Sequence, residues 1–322
     1  MNFELTKQCP LHCPQCYVAD LHDDRELPLG LAKFRLNDAV RSGITHVNLS
    51  GGETLAYSHL EELIAECARL KLTSAIALSG AYVTRERLIS IINAGVTMIF
   101  VSLNGSTEEI NRRTRDGFSL ALRTLELLRE LQFAETYINW VMHESNADDL
   151  PGMLELAREF HVKAIVIMAF KPDSAHELVD YPTRDQLLKT AQFVKAHGDS
   201  EPRLLVETCF SQLRAVIGHG FFINQNRGID RGCGAGRNSI NVDIAGRFTP
   251  CRHLDLPEDF QSVTEYWTHS KILSALRAVE DRIDAPCSEC KYLQGCLPCA
   301  AINVKLRQKI AFGMPDCPLE NS

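Results

Sequence analysis

The sequence predicts an α/β fold of six strand–helix units with parallel pairing, followed by a small cysteine-rich C-terminal domain. Three observations carry this reading. Short apolar strands alternate with amphipathic helices from residue 2 to residue 169, and such alternation implies parallel strands joined by right-handed crossovers. Glycines, serines and cysteines recur just past the strand ends, where folds of this kind gather their ligands. Past Gly198 the pattern changes, and from Cys209 onward glycine content and cysteine density rise. The boundary falls between them, which divides the chain into 1–205 and 206–322.

Composition narrows the function classes. With 45% hydrophobic and 23% charged residues over 322 positions, the chain has ordinary globular usage. A formal charge of −7 without a basic run or stripe argues against a nucleic-acid partner. No signal peptide precedes the first strand, and no apolar run reaches the roughly 18 residues that would span a bilayer. A cytoplasmic, non-membrane protein is expected. Twelve cysteines would stay reduced there, so their clustering points to metal binding rather than to disulfides.

The first strand, at residues 2 to 6, runs into Cys9-Pro-Leu-His-Cys13-Pro-Gln-Cys16-Tyr17. Thiolates are soft ligands that suit zinc or iron–sulfur clusters, and gaps of three and two let the three sulfurs converge on one inorganic core. The odd number is informative. Structural zinc and electron-transfer clusters are closed by four protein ligands, whereas three thiolates on a four-iron cluster leave one iron open to a chelating substrate. A helix near Leu31 to Ser42, stopped at Gly43, leads to a buried strand at His46 to Leu49 and then to Ser50-Gly51-Gly52-Glu53. Two glycines at a strand end let backbone approach a ligand closely.

Leu60, Leu63, Ile64 and Cys67 lie on one helical face, so Cys67 reads as a core residue. Strands at Ala75 to Leu78, Met98 to Leu103, Tyr137 to Met142 and Ala164 to Ala169 follow. Between them come helices near Thr84 to Asn93 and Leu150 to Phe160 and a helix pair within Thr107 to Leu131. Loops at Pro172 to His176 and Asp180 to Thr183 lead to a helix near Arg184 to Ala196, and Leu204 to Val206 is a candidate seventh strand.

The loop spacing and the aromatic Tyr17 resemble the signature of the radical S-adenosylmethionine superfamily. The resemblance implies a partial (β/α)6 TIM-like barrel. It implies a four-iron cluster on Cys9, Cys13 and Cys16, whose open iron binds S-adenosylmethionine and splits it to a 5′-deoxyadenosyl radical that removes a substrate hydrogen. It assigns cofactor contacts to Tyr17 and to Ser50, Gly51, Gly52 and Glu53, the last group receiving the methionine amino group. Ser102 in Ser-Leu-Asn-Gly and Arg115 before Asp116-Gly117 are similar to a family pair suited to a carboxylate, with Asn104 standing where the family has Asp. Asn146 resembles a further family contact, and a helix N-cap is its competing reading.

The C-terminal cysteines extend the likeness. Cys233, Gly246 and Cys251 are followed by Cys287, Cys290, Cys296, Cys299 and Cys317, amid Gly232-Cys233-Gly234-Ala235-Gly236, a strand pair over 240–243 and 246–250, Tyr266-Trp267 with Ser270 opening a helix, and Asp316-Cys317-Pro318. This resembles the SPASM extension of that superfamily, apart from a gap of two rather than three before Cys299. The resemblance implies an auxiliary four-iron cluster on Cys287, Cys290, Cys296 and Cys317, and a second on Cys233, Cys251 and Cys299. That second set is one thiolate short. Cys209, a substrate atom or an open site are the candidates for the fourth position, and a buried core thiol is the competing reading of Cys209.

The resemblance implies a radical enzyme that crosslinks, oxidises or epimerises a ribosomal peptide with electrons from a flavodoxin or ferredoxin. The chain starts a few residues before the first cluster loop, so a separate leader-binding protein is expected. The alternatives are an epimerase or dehydrogenase acting on a small metabolite such as an aminoglycoside or nucleotide sugar, and a non-enzymatic iron–sulfur or zinc protein.

Overall fold

The structure, a computed structural model, describes residues 1–18, 24–171, 180–218, 220–221, 232–278, 283, 285, 287–293, 296–297, 299–307 and 317. The chain divides into two compact units that interleave in sequence. The first comprises Met1–Leu103, Arg115–Ile138 and Ser239–Ser270, and the second Asn104–Thr114, Asn139–Asn238 and Lys271–Ser322. Neither unit ends where composition changes, at residues 205 and 206, because residues 239–270 pack within the unit that begins the chain.

The first unit holds β1 (Asn2–Glu4), α1 (Leu29–Arg41), β2 (His46–Ser50), α2 (Leu60–Arg69), β3 (Thr73–Leu78), α3 (Arg85–Asn93) and β4 (Met98–Ser102). In the second unit's Asn104–Thr114 piece lies α4 (Glu108–Asn111); the first unit resumes with α5 (Phe118–Glu130) and the opening residues of β5 (Thr136–Met142). Within the first unit β1, β2, β3 and β4 pair in parallel in sequence order. Register places Phe3, Leu49, Ile76 and Ile99 side by side, and each is at most 1% exposed. That row is the spine of the unit's core. The helices pack as their periodicity demands, with Leu60, Leu63, Ile64 and Cys67 of α2 all buried and Thr84 capping α3 by accepting from the Arg87 amide at 3.1 Å.

Residues 239–270 extend the same sheet. Their strand β8 (Asn241–Val242) pairs in parallel with β1, and β9 (Phe248–Thr249) pairs antiparallel with β8. Arg35 of α1 fixes this segment. It donates to the carbonyls of Gly246, Gln261 and Phe260 at 2.9 to 3.1 Å, and its guanidinium stands 4.3 Å over the Phe248 ring. Asp38 accepts from the Val263 amide at 2.6 Å at the start of α9 (Val263–His269). Gly246 sits at φ +79, a left-handed conformation that L side chains rarely adopt, and the Leu31 side chain packs into the space it leaves. Tyr266 and Trp267 lie within α9, and Ser270 both closes α9 and immediately precedes the helix at Lys271–Arg277, as read from sequence.

The second unit carries the remainder of β5, then α6 (Leu150–Glu159), β6 (Ala164–Ala169), α7 (Arg184–His197), β7 (Arg203–Val206), α8 (Arg214–Ile217), α10 (Lys271–Arg277) and α11 (Ala300–Arg307). The candidate strand at 204–206 is a true seventh parallel strand, with Ile165 opposite Leu204 and Ile167 opposite Val206. A capping box between Thr183 and Gln186 starts α7. Asn104 organises the mouth of this unit. Its amide accepts from the Val141 N–H at 3.1 Å and donates to Thr114 at 3.0 Å, while its carbonyl receives the Trp140 indole at 3.2 Å and the Asn146 amide at 2.9 Å. No helix among the described residues is long and apolar enough to cross a membrane. The expected loop at 172–176 lies outside the described residues.

Candidate active site

The three-cysteine loop belongs to the first unit, directly after β1. A turn closes it, with the Cys16 amide donating to the Cys13 carbonyl at 3.1 Å, and all three thiols are half-buried. Burial pushes the Cys9 thiol up to about 11, and the neighbouring Glu53, Cys13 and Cys16 charges push the same way. Cys16 is likewise raised by burial, with Cys13 adding and Arg115 opposing. The three sulfurs therefore lie within reach of one another's charge, a crowding that thiolates tolerate when a cationic centre neutralises them.

The glycine pair abuts the extended segment between β1 and this loop. Gly52 donates to the Thr6 carbonyl at 2.7 Å and Glu53 to the Gln8 carbonyl at 2.8 Å. A methyl on Gly51 would lie 2.3 Å from the Thr6 oxygen, and one on Gly52 would lie 2.4 Å from the Gln8 oxygen. Only glycine permits that approach. Glu53 itself is fully buried. One carboxylate oxygen accepts from the Leu55 amide at 3.1 Å and the other from the Ser79 amide at 2.8 Å and the Ser79 hydroxyl. Burial raises its carboxyl, while these donors and Arg115 oppose the rise. Its side chain ties the end of β2 to the end of β3, a role that a ligand reading of the sequence does not supply.

Arg115 thus sits in charge range of both Cys16 and Glu53, and the adjacent Asp116 accepts from the His12 amide at 2.8 Å. Ser102 is half-buried at the end of β4. Tyr17 packs on His253, ring centroids 4.5 Å apart, and its hydroxyl accepts from the half-buried Arg252 at 3.5 Å. The structure therefore gathers the Cys9–Tyr17 loop, Ser50–Glu53, Ser102 and Arg115 in one unit. Asn146 belongs to the second unit. Its amide oxygen accepts from the His143 N–H and its nitrogen donates to the Asn104 and Val141 carbonyls. It occupies the N-cap position of the 3-10 turn at Ala147–Asp149 without a side-chain cap bond.

Sequence reasoning passed over a cavity of about 350 Å³ lined by Gln8, Leu55, Ala56, Tyr82 and Arg87. Tyr82 is 53% exposed and held at φ +60, an uncommon conformation for a bulky side chain. The only sequence signal was its place two residues after Ser79-Gly80.

In the second unit the Cys287–Cys317 array closes up. Successive turns join Cys287 to Cys290, Cys290 to Leu293 and Leu293 to Cys296 through backbone bonds of 3.0 to 3.2 Å. Burial lifts the Cys296 thiol to about 12, the Ser211 hydroxyl 3.3 Å away lowers it, and the charges of Cys317, Cys287 and Cys290 raise it. Cys299 and Cys233 lie in mutual charge range. Cys251 belongs to the first unit, where it bridges to Leu254.

Among the described residues no three His, Cys, Asp or Glu side chains close on a single metal ion. A cluster spreads its thiolates over several irons, so sulfurs in charge range need not meet at one point. The donor sets are dominated by thiols, with His12 the one imidazole inside the three-cysteine loop and Glu289 the one carboxylate between Cys287 and Cys299, and soft thiolates in such number fit iron–sulfur clusters. In the three-cysteine loop the buried Gln15 side-chain oxygen has no hydrogen-bond partner, and such a group fits a site completed by something further.

Residues 3–157 match the family model described as the Radical SAM superfamily. Residues 3–157 thus carry a radical S-adenosylmethionine domain built around the three-thiol loop, and the second cysteine array lies beyond it. Mycofactocin maturase MftC of Mycolicibacterium smegmatis is 25% identical over 92% of this chain and 76% of its own length. PqqA peptide cyclase of Rhodopseudomonas palustris is 27% identical over 90% and 78%. Among solved structures, Streptococcus suis SuiB bound to its precursor peptide SuiA superposes with a TM-score of 0.79 at 16% identity, covering 99% of this chain and 75% of that one. The anSMEcpe enzyme with bound AdoMet and a peptide reaches 0.73 at 14%, covering 96% and 91%. These likenesses to solved structures show that the α/β fold is shared.

Proposed function

We propose that this chain modifies a ribosomally made peptide by radical chemistry. Cys9, Cys13 and Cys16 would hold a four-iron cluster that, once loaded, supplies reductive cleavage of S-adenosylmethionine and hydrogen abstraction. The single observation that carries this is the juxtaposition, in one compact unit, of the three-thiol loop with the Gly51-Gly52 approach to the Thr6–Gln8 segment that feeds it. Here the chain's own groups position and exclude. The Ser50–Gly52 backbone offers polar groups at a strand end, and Glu53 fixes β2 against β3 so that those groups stay in place. Arg115 supplies a cation suited to the cofactor carboxylate, Ser102 a hydroxyl, and Tyr17 an aromatic wall.

Two further cluster sites follow from the second array: Cys287, Cys290, Cys296 and Cys317 hold one, and Cys233 and Cys299 belong to another. The peptide class is supported by relatives named for peptide substrates over most of their length. A small reducing protein such as a flavodoxin or ferredoxin would deliver the electron, and a separate protein would present the leader. The test is anaerobic incubation of reconstituted enzyme with S-adenosylmethionine, dithionite and a short precursor peptide encoded beside its gene. Deuterium transferred from labelled peptide into 5′-deoxyadenosine is the expected result. No transfer from peptide, with transfer from a nucleotide sugar or aminoglycoside, would overturn the peptide reading and leave the radical chemistry standing.

A further inference from the structure

Cys209 lies outside both cysteine arrays, on the 3-10 segment Thr208–Leu213 after β7, 24 residues before Cys233. Backbone packing in the second unit nevertheless brings it to the array. Ser211, two residues on, donates its hydroxyl to the Leu297 carbonyl at 2.8 Å. Gly232, one residue before Cys233, bridges to Leu297 in parallel. Gly232 sits at φ +123, and a methyl on it would meet the Leu297 oxygen at 2.4 Å and the Ser211 side chain at 2.8 Å. Three chain segments thus pack about one point, and each has a cysteine one or two residues away: Cys209, Cys233 and Cys299. All three are buried, at 8%, 9% and 2% exposure.

The surroundings are those of an incomplete polar site. The Tyr181 hydroxyl and the Gln212 amide, on residues 2% and 1% exposed, are buried facing each other with no other hydrogen-bond partner. Orphaned buried polar groups are costly. The buried ammonium of Lys171 is held 3.0 and 3.1 Å from the Glu207 oxygens and 3.0 Å from the Ala169 carbonyl, and the charges of Cys209 and Cys299 act on it. The Cys209 thiol donates a hydrogen bond to the Cys299 sulfur.

We propose that Cys209 is a thiolate ligand, with Cys233 and Cys299, of one auxiliary iron–sulfur cluster, with Lys171, Tyr181 and Gln212 as the polar shell around its sulfurs. Fixed donors and cations beside thiolates are the means by which a protein sets the stability and potential of such a centre. Ligation forms one Fe–S bond and releases the Cys209 proton to water, with no electron transferred. The inference rests on the auxiliary-cluster reading given above and adds a residue that the array spacing omits.

The test uses the full chain with Cys9, Cys13 and Cys16 replaced by Ala, so that only auxiliary clusters remain, reconstituted with ⁵⁷Fe and sulfide. Adding Cys209→Ser should alter the Mössbauer parameters and reduced EPR signal of one cluster and leave the other unchanged. Adding Cys209→Ala should lower bound iron by up to about two-fold, since one of two clusters is destabilised. Cys67→Ala, which removes a core thiol of α2, should change neither readout. Spectra of Cys209→Ser and iron content of Cys209→Ala that both match the background protein would make Cys209 a core thiol and overturn the inference. A background protein that binds no iron would instead overturn the auxiliary-cluster reading itself.

Discussion

Replacing Gly52 by Ala tests whether the glycine pair exists to let the chain pass the cluster loop. The added methyl would lie 2.4 Å from the Gln8 oxygen, 2.6 Å from the Lys7 oxygen and 2.8 Å from the Gln8 carbonyl carbon. All three are backbone atoms, so no flexible side chain can yield, and the segment leading to Cys9 must retreat by more than half an ångström. Overpacking of this kind costs about 1–3 kcal/mol. The two backbone bonds that Gly52 and Glu53 make to Thr6 and Gln8 add about 0.5–1.5 kcal/mol each if they open. The sum, about 2–6 kcal/mol, would lower the melting temperature by at least about 3 °C, and the displaced Cys9 should weaken iron retention in the N-terminal loop. Gly30→Ala is the matched control. It lies in α1 with nothing within 4 Å of the added methyl, and should be neutral or stabilising by up to about 1 kcal/mol. The assay is thermal unfolding together with iron content in a chain lacking Cys287 and Cys290. A Gly52→Ala variant that melts with Gly30→Ala and holds as much iron would refute the close-approach argument.

Three further outcomes follow from buried groups of the second unit. Asn104→Ala strands the Val141 N–H and the Thr114 hydroxyl and should cost about 2–4 kcal/mol by urea unfolding; a change under 0.5 kcal/mol would contradict the hub role. Lys171→Met leaves the half-buried Glu207 without its cation and should destabilise the reconstituted chain by about 3 kcal/mol, whereas an unchanged midpoint would show the pair to be dispensable. Burial lowers the His143 imidazole, with Asp180 and Glu144 opposing, so the fold favours its neutral form. Stability should be full above the unfolded value near 6.5 and be lost as pH falls through it toward the folded value, at up to about 1.4 kcal/mol per pH unit. His143→Asn should flatten that limb of the stability profile, and an unchanged slope would assign the acid lability elsewhere.

The strands and helices from residue 2 to 169 were legible because each repeats one local rule: a short apolar run, a turn, then a helix with one buried face. The register row Phe3, Leu49, Ile76 and Ile99 is that rule seen across the sheet. The cysteine loop and Gly51-Gly52 were legible for a different reason, since ligand spacing and close backbone approach leave few residue types permissible. What local pattern cannot carry is long-range packing. The return of residues 239–270 to the first unit depends on Arg35 reaching three carbonyls more than 200 positions away. Glu53 reads as a ligand from its motif, and only the fold shows its carboxylate committed to Leu55 and Ser79. Cys209 has no spacing to announce it; its neighbours appear only when Ser211, Gly232 and Leu297 meet.

The central claim is that Cys9, Cys13 and Cys16 together form the centre that cleaves S-adenosylmethionine. The direct measurement is 5′-deoxyadenosine released by the anaerobically reconstituted, dithionite-reduced chain and by its Cys9→Ala, Cys13→Ala and Cys16→Ala variants, each matched for auxiliary iron. The account predicts release by the parent chain and none above the enzyme-free level from any of the three. Release from a variant at a rate near that of the parent would place the cleavage centre elsewhere in the molecule.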